Sequence, residues 1–533
     1  MFSFRKTLLG LLVLMISQSV VPSSAARSLS PETAAEAVSL QQGQELLFEL
    51  QADPGDYIQL GWSSQSGSFH LDSVERTTGK HIRRFISENI GRAPYLLVAG
   101  EQPMDLKVSA VQTGRFTLSV LRKVAASEQV SSQKEYLSPR IAKLAVHLKT
   151  GGTSDDFWLD VAETGTPLIE DQGDGNSILT FLAKDAKNAV RLLGAPTSNH
   201  EELERLGTSD VWFKSFVVPN TTRLSYQLAK DVPQITGSWT ERRRAILATL
   251  SADPFNKNPW PADAIDPYNQ HSTVLLPEAD KGRFIQENGA AKGSLAKHVI
   301  ESQLLENKRN IWIYRSVGYE ISKETAPLLL MFDAEHYNGR ISVPVILDNM
   351  VEEGVIPPLA AVFISHIDGK ARSSELPNNA DFAQFMAKTL LPFVEEQLGT
   401  SSSPDRTILA GSSYGGLASS TVALRYPQQF GNVLSMSGSY WYSEEGDENY
   451  VAKLIASKPK QDIAFFLSAG LFEKGVGGRD RGILYSNQHL RDVLMAKGYP
   501  VQMKTYAAGH DLFSWQTILS DGLIHLLGNA ARK

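Results

Sequence analysis

From Asn310 onward, short runs of almost unbroken apolar residues alternate with amphipathic ones. The first kind reads "NIWIYRS", "PLLLMFD", "LAAVFIS", "RTILAG", "NVLSMSG", "IAFFLSA" and "VQMKTYA"; between them stand "FAQFMAKTLLPFVEEQL", "LASSTVALRYP" and "SNQHLRDVLMAKG". A strand with one wet face alternates polar and apolar side chains, whereas a strand that is apolar throughout must be covered on both faces. Helices returning between such strands supply that cover. The pattern therefore predicts an α/β domain with a mostly parallel sheet and helices on both faces. In such sheets ligands gather at the carboxyl ends of the strands, and functional residues are sought there.

One of those ends carries "GSSYG" (411–415), a G-x-S-x-G pattern with Ser413 at its centre, between "TILA" and an amphipathic run. In a chain with 40 glycines the bare pattern is weak. Its strand–turn–helix context gives it weight. A nucleophile on such a bend sits in strained backbone, so its close neighbours must lack bulky side chains; Gly411, Gly415 and Gly416 meet that need. The following helix start offers the Tyr414 N–H and a positive dipole to a developing oxyanion.

A serine hydroxyl needs a base to take its proton, and in this architecture the chain order is Ser, acid, His. His489, His510 and His525 follow Ser413. His489 and His525 fall in helix-like runs, while His510 lies in "AAGHDLFSW" just past a strand, so His510 is the expected base. For the acid, Glu473 after "IAFFLSAG" also stands at a strand end and is preferred to Asp480 in "GVGGRD" and to Asp492 in a helical run. A second oxyanion donor is expected from the backbone near Ala334 and Glu335 in "LLLMFDAEHYNG". His336 and Asp333 in that stretch lack the spacing of a metal site, so His336 is read as a surface loop histidine, and no metal or cofactor is expected.

At 533 residues the chain exceeds one hydrophobic core. Residues 43–122 show short alternating runs ("LLFELQA", "YIQLGWS", "GRFTLSVLR") that predict a β-sandwich-like domain. Residues 123–154 read as a linker with some helix, 155–300 as a second β-sandwich-like domain, and 301–533 as the α/β domain. Within the second domain, "DQGDGN" (171–176) is a tight hairpin turn rather than a calcium loop, and Arg242, Arg243 and Arg244 read as a solvated helix face. His70, His81 and Trp62 have no ligand spacing and are assigned to core or surface.

The first residues, "MFSFRKTLLGLLVLMISQSVVPSSAARS", combine a basic start, an apolar stretch and small residues near Ala25 and Ala26. That is the three-part form of a signal peptide over 1–26, and it predicts export to a periplasm-like compartment. Its removal takes Arg5 and Lys6 away and moves the formal charge from −6 to −8. An acidic surface disfavours nucleic acid, and no second apolar stretch is long enough to span a bilayer, so membrane insertion is not expected. With no cysteine, disulfides and thiolate metal sites are excluded.

The segments "SHIDGKARSSELPNNADFAQFMAKTLLPFVEEQL", "DRTILAGSSYGGLASSTVALRYPQQFGNVLSMSGSYWY" and "AGHDLFSW" closely resemble the enterochelin (enterobactin) esterases, esterase-D-like members of the α/β-hydrolases. Upstream, "TPLIED", "GTSDVWFKSFVVPNTTRLSYQL" and "SADPFNKNPW" resemble the amino-terminal β-sandwich of those enzymes, so the likeness runs over 155–533. It implies hydrolysis of the trilactone esters of enterobactin or a related catecholate siderophore, iron-loaded or free, with Ser413 as nucleophile and His510 as base. The G-x-x-E at 470–473 matches the family's acid position, although some periplasmic relatives work with a Ser–His pair alone. Arg372 in "ARSSEL" matches an arginine near the active site of relatives, which implies contact with catecholate oxygens or the ester carbonyl; the alternative is a salt bridge to Glu375. Trp441 and Tyr442 either stack on catechol rings or serve the core. Residues 43–122 have no counterpart in the two-domain relatives, and their role stays open. Two other readings also stay open: a carbohydrate-linked (feruloyl or acetyl) esterase of the same fold, and a catalytically silent siderophore-binding protein.

Overall fold

The computed structural model describes residues 26–528 apart from 89–91, 130–134, 195, 198–199, 445, 447–448 and 476–481. The signal peptide read at 1–26, but for its last residue, lies outside the described residues, as does Asp480. The chain forms two compact units, 1–134 and 135–533.

In the first unit two sheets enclose one core. One has the strand order Arg27–Leu29, Glu45–Leu50, Met104–Ala110, Phe69–Glu75, His81–Ser87; the other runs Ala37–Leu40, Gly114–Val124, Tyr57–Ser66, Arg92–Val98. Strict alternation makes the core: Leu46, Phe48 and Leu50 point inward from one sheet, and Ile58, Leu60 and Trp62 from the other. Trp62 stacks on Phe116 at 4.8 Å between ring centres, and Phe69 meets both rings edge-on. The strands begin at Arg27, well before residue 43, because the short first strands carry too few apolar residues to read as periodic.

The second unit opens with helices Pro139–Lys149 and Asp155–Thr164. Ile141, Leu144, Trp158 and Val161 are buried with Leu168, Leu182 and Phe213, so the end of the 123–154 stretch is packed structure. The Ser138 hydroxyl caps the first of these helices by accepting from the Ile141 N–H. Two sheets follow. One pairs Leu168–Gly173, Asn176–Lys184, Val211–Pro219 and Glu204–Arg205; the other is centred on Arg223–Lys230 and His271–Leu275. "DQGDGN" is the hairpin between the first two of these strands, and Arg242, Arg243 and Arg244 lie exposed on helix Trp239–Leu247.

The large sheet has eight strands in the order Ser294–Ser302, Asn307–Arg315, Ala360–Ile364, Leu328–Phe332, Thr407–Ser412, Asn432–Met436, Ala464–Gly470, Val501–Tyr506. The first two pairings are antiparallel and the rest parallel. Strand Ser294–Ser302 begins upstream of the boundary read at 301. Mostly exposed at the sheet edge, it lacks the apolar run that marks its neighbours. Successive residues of the inner strands face opposite layers. Leu328, Leu330 and Phe332 pack with Phe382, Val394 and Leu417 on one side; Leu329 and Met331 pack with Ile346, Met350 and Leu519 on the other. Each such buried side chain contributes roughly 1.5–3 kcal/mol.

The same layer buries one ion pair. Arg309 donates two hydrogen bonds to Glu375, at 2.8 and 3.0 Å, and its guanidinium lies over the rings of Phe382 and Phe385. This pair anchors helix Gly369–Glu375, which carries Arg372.

Candidate active site

Strand Thr407–Ser412 and helix Tyr414–Arg425 meet at Ser413, whose backbone has φ 56° and ψ −120°. A non-glycine residue there is strained, and the neighbours must hold it. The Ser413 N–H donates to Met436 O at 3.0 Å, and its carbonyl accepts from the N–H groups of Leu417 and Ser439. Two of the three glycines are needed for space. A Cβ at Gly411 would stand 2.7 Å from the Gly415 backbone, and one at Gly416 would stand 2.4 Å from Ser435 Oγ. At Gly415 the nearest atoms would be 3.4 Å away, so that position has room for a methyl group, contrary to the sequence expectation.

His510 lies between strand Val501–Tyr506 and helix Leu512–Leu527, and its Nδ1 is 2.5 Å from Glu473 Oε1. The other carboxylate oxygen, Oε2, accepts from Ser437 Oγ at 2.8 Å and from the Gly470 N–H at 2.6 Å. Ser437 in turn accepts from Trp515 Nε1, and the Trp515 ring stands edge-on to the His510 ring at 4.7 Å. Glu473 is therefore buried, doubly held and aimed at the imidazole. Asp492 is bonded to Arg491 on helix Ile483–Ala496 and has no such place. Ser437→Ala is expected to lower kcat about tenfold with KM unchanged, because the acid loses one of its two anchors. Steady-state kinetics on a p-nitrophenyl ester checks it; an unaltered kcat would remove Ser437 from the assembly.

Ser413 and His510 line one cavity of about 460 Å³. The Ser413 hydroxyl faces Ser439 Oγ at 3.3 Å, so the segment Ser437–Gly438–Ser439 touches both Glu473 and Ser413. Nothing in its sequence assigns this segment a role; only the fold brings its hydroxyls to those partners.

The stretch after strand Leu328–Phe332 forms the opposite wall. Asp333 has φ 60° and is buried. Arg372 grips it with two hydrogen bonds, Nε to Oδ1 at 2.7 Å and Nη2 to Oδ2 at 2.8 Å. Burial alone would raise the Asp333 carboxyl, but Arg372 and His366 hold it down at about 2. The expected alternative partner of Arg372, Glu375, is taken by Arg309 instead. Glu335 lines the cavity, and so does His336, which is part of the site rather than a surface loop histidine; burial lowers its pKa. His366, not singled out in the sequence, stands 3.0 Å from Glu335 and 3.4 Å from Asp333, and these carboxylates, Asp333 first, raise its pKa. Trp441 is 43% exposed, outside both the core and the cavity lining, with its ring 6.1 Å from that of Tyr414. Tyr442 packs partly buried against the core. Among the described residues no group of three or more His, Asp or Glu side chains is placed to hold a metal ion.

The β-sandwich also reaches the site, which the sequence did not reveal. Ser225, Trp260 and His271 line the cavity. Arg223 brackets the His510 loop: its N–H donates to Ala507 O, its Nε donates to Phe513 O at 2.9 Å, and its carbonyl accepts from Ser514 Oγ. Ser225 Oγ donates to Asp511, whose burial pushes its carboxyl up to about 6. The two sheets of this region and the catalytic loops thus share one compact unit.

Comparison with known proteins gives this arrangement a family. A model described as "Putative esterase" matches residues 302–526, and one described as "Enterochelin esterase, N-terminal" matches residues 179–283. The iron(III) enterobactin esterase of Yersinia enterocolitica is 30% identical over 307 residues, covering 51% of this chain and 85% of that one. The chain belongs to the enterochelin esterase family. It is accordingly a carboxylic ester hydrolase. The iron(III) enterobactin esterase of Dickeya dadantii is 29% identical over 406 residues, 70% of this chain and 92% of its own. Among solved structures, the enterobactin esterase of Shigella flexneri in the presence of enterobactin superposes with a TM-score of 0.57 at 26% identity, covering 70% of this chain and 98% of that one. Neither family model extends into the first unit of this esterase.

Proposed function

We propose that this esterase hydrolyses the backbone ester bonds of an enterobactin-type catecholate siderophore, iron-loaded or free, through an acyl-enzyme on Ser413. The observation that carries the reading is that Ser413 and His510 line one cavity, with the imidazole Nδ1 held from behind by the buried Glu473 carboxylate. The relatives' names support the substrate class. His510 Nε2 takes the Ser413 proton as Oγ attacks a lactone carbonyl. The first-turn N–H of Tyr414 and the backbone N–H near Glu335 hold the oxyanion, since groups opening a helical turn have no partner within it. Collapse of the tetrahedral adduct breaks the ester C–O bond, and His510 protonates the leaving serine alkoxide. Water then attacks the acyl-enzyme with His510 again as base, releasing a carboxylate and restoring Ser413. Each ester cleaved consumes one water, and iron enters and leaves with the substrate. The basic and apolar start of the chain supports a periplasmic setting for this chemistry.

The test pairs substrates. Ferric enterobactin and a feruloyl oligosaccharide are incubated with the enzyme and their products read by mass spectrometry. Linear trimer, smaller dihydroxybenzoyl-serine fragments and no released ferulate are expected. The opposite pattern would move the enzyme to carbohydrate esters. Absence of a fluorophosphonate adduct on Ser413 would make the protein a silent binder.

A further inference from the structure

Arg340, at the end of the helical turn His336–Arg340, lines the cavity and has no carboxylate partner among the described residues. Other cations of this region are matched: Arg372 by Asp333, Arg309 by Glu375, and His366 by Glu335 and Asp333. Among the described residues, Arg340 instead donates to His271 Nε2 at 3.2 Å and to Asn269 O at 3.4 Å, both from the β-sandwich. A guanidinium has only donors, so this contact requires an unprotonated His271 Nε2. Burial and the Arg340 charge hold His271 down at about 4, so the imidazole brings no second charge at neutral pH. Beside the pair lies Trp260, whose ring centre is 5.7 Å from the guanidinium carbon. Trp260 also meets His271 and Phe513 edge-on, which fixes its plane.

A half-buried cation with no counter-ion attracts an anion, and one set against an indole suits an anion carried on a flat ring. The fork of a guanidinium also fits two oxygens on adjacent atoms. We infer that Arg340, Trp260 and His271 form an aryl subsite in which Arg340 grips the paired oxygens of a catecholate ring while Trp260 packs against it. The inference rests on the siderophore reading and deepens it. The sandwich then has a direct part in substrate choice, since it supplies two of the three residues and leaves the chemistry to the α/β sheet.

The test compares three esters cleaved by the same serine: ferric enterobactin, iron-free hexa-O-methyl enterobactin, which is neutral at every ring oxygen, and p-nitrophenyl butyrate. Arg340→Gln is expected to lower kcat/KM for ferric enterobactin roughly ten- to a hundredfold, chiefly through KM, because a hydrogen bond to a charged group is lost. The two neutral esters should change less than about twofold, which also shows that the variant is folded. Arg340→Lys keeps the charge but not the fork, so on ferric enterobactin it should recover only part of that loss, remaining about threefold or more above Arg340→Gln. An equal loss on all three esters, no loss on ferric enterobactin, or a loss for Arg340→Lys as large as for Arg340→Gln overturns the subsite. Wild-type enzyme that cleaves p-nitrophenyl butyrate but neither enterobactin form would instead overturn the siderophore reading, a separable failure.

Discussion

Ser413→Ala should lower kcat for ester hydrolysis by about 10³- to 10⁶-fold while leaving siderophore affinity close to wild type. The size follows from how the triad works. Without the hydroxyl no acyl-enzyme forms, and His510 can act only on water that nothing else positions. Affinity should survive because, among the described residues, Oγ has one hydrogen-bond partner, Ser439, and most of the cavity wall comes from other residues. Single-turnover kinetics with ferric enterobactin, read beside tryptophan fluorescence titration, separates the two effects. A variant within tenfold of wild type would end the nucleophile assignment.

The second large effect concerns the acid. Glu473→Gln is nearly isosteric, yet it is expected to cost about 10³- to 10⁴-fold in kcat. Two donors, Ser437 Oγ and the Gly470 N–H, already point at Oε2, so the new amide must place its carbonyl oxygen there. Its NH₂ group then faces His510 Nδ1 and accepts nothing from it. The ring is forced to carry its proton on Nε2, where it cannot take the Ser413 proton. Turning the amide over would set the NH₂ against two donors in a buried site, which is worse. Kinetics on p-nitrophenyl butyrate, with circular dichroism to confirm the fold, checks the expectation. A loss below about fivefold would reduce the machinery to a Ser–His pair.

Much of this site was legible before any coordinates. Ser413 could be read because strained backbone geometry demands small neighbours at short range, and those neighbours sit beside it in the chain. Glu473 and His510 could be read because parallel strands announce themselves by unbroken apolar runs, and residues just past such runs gather at one end of the sheet. His366, Ser437 and Ser439 were not legible as partners, since a hydroxyl or imidazole in a loop carries no pattern. Arg372 could be placed near the site, but its choice between Asp333 and Glu375 turned on a competitor, Arg309, lying far away in sequence. The edge strand Ser294–Ser302 escaped because a strand with one partner and a wet face need not be apolar.

The chain by itself determined a parallel-rich α/β sheet, a serine on a sharp bend, and a carboxylate and a histidine just past later strands of that sheet. These follow from local rules: period, turn chemistry and the covering of strand faces. Only the tertiary structure decided that the upstream sandwich forms a wall of the same cavity, through Ser225, Trp260 and His271, and braces the His510 loop through Arg223. The reason is physical. A contact such as that of Arg223 with Phe513 depends on how two cores pack together, and packing leaves no period in the sequence to read.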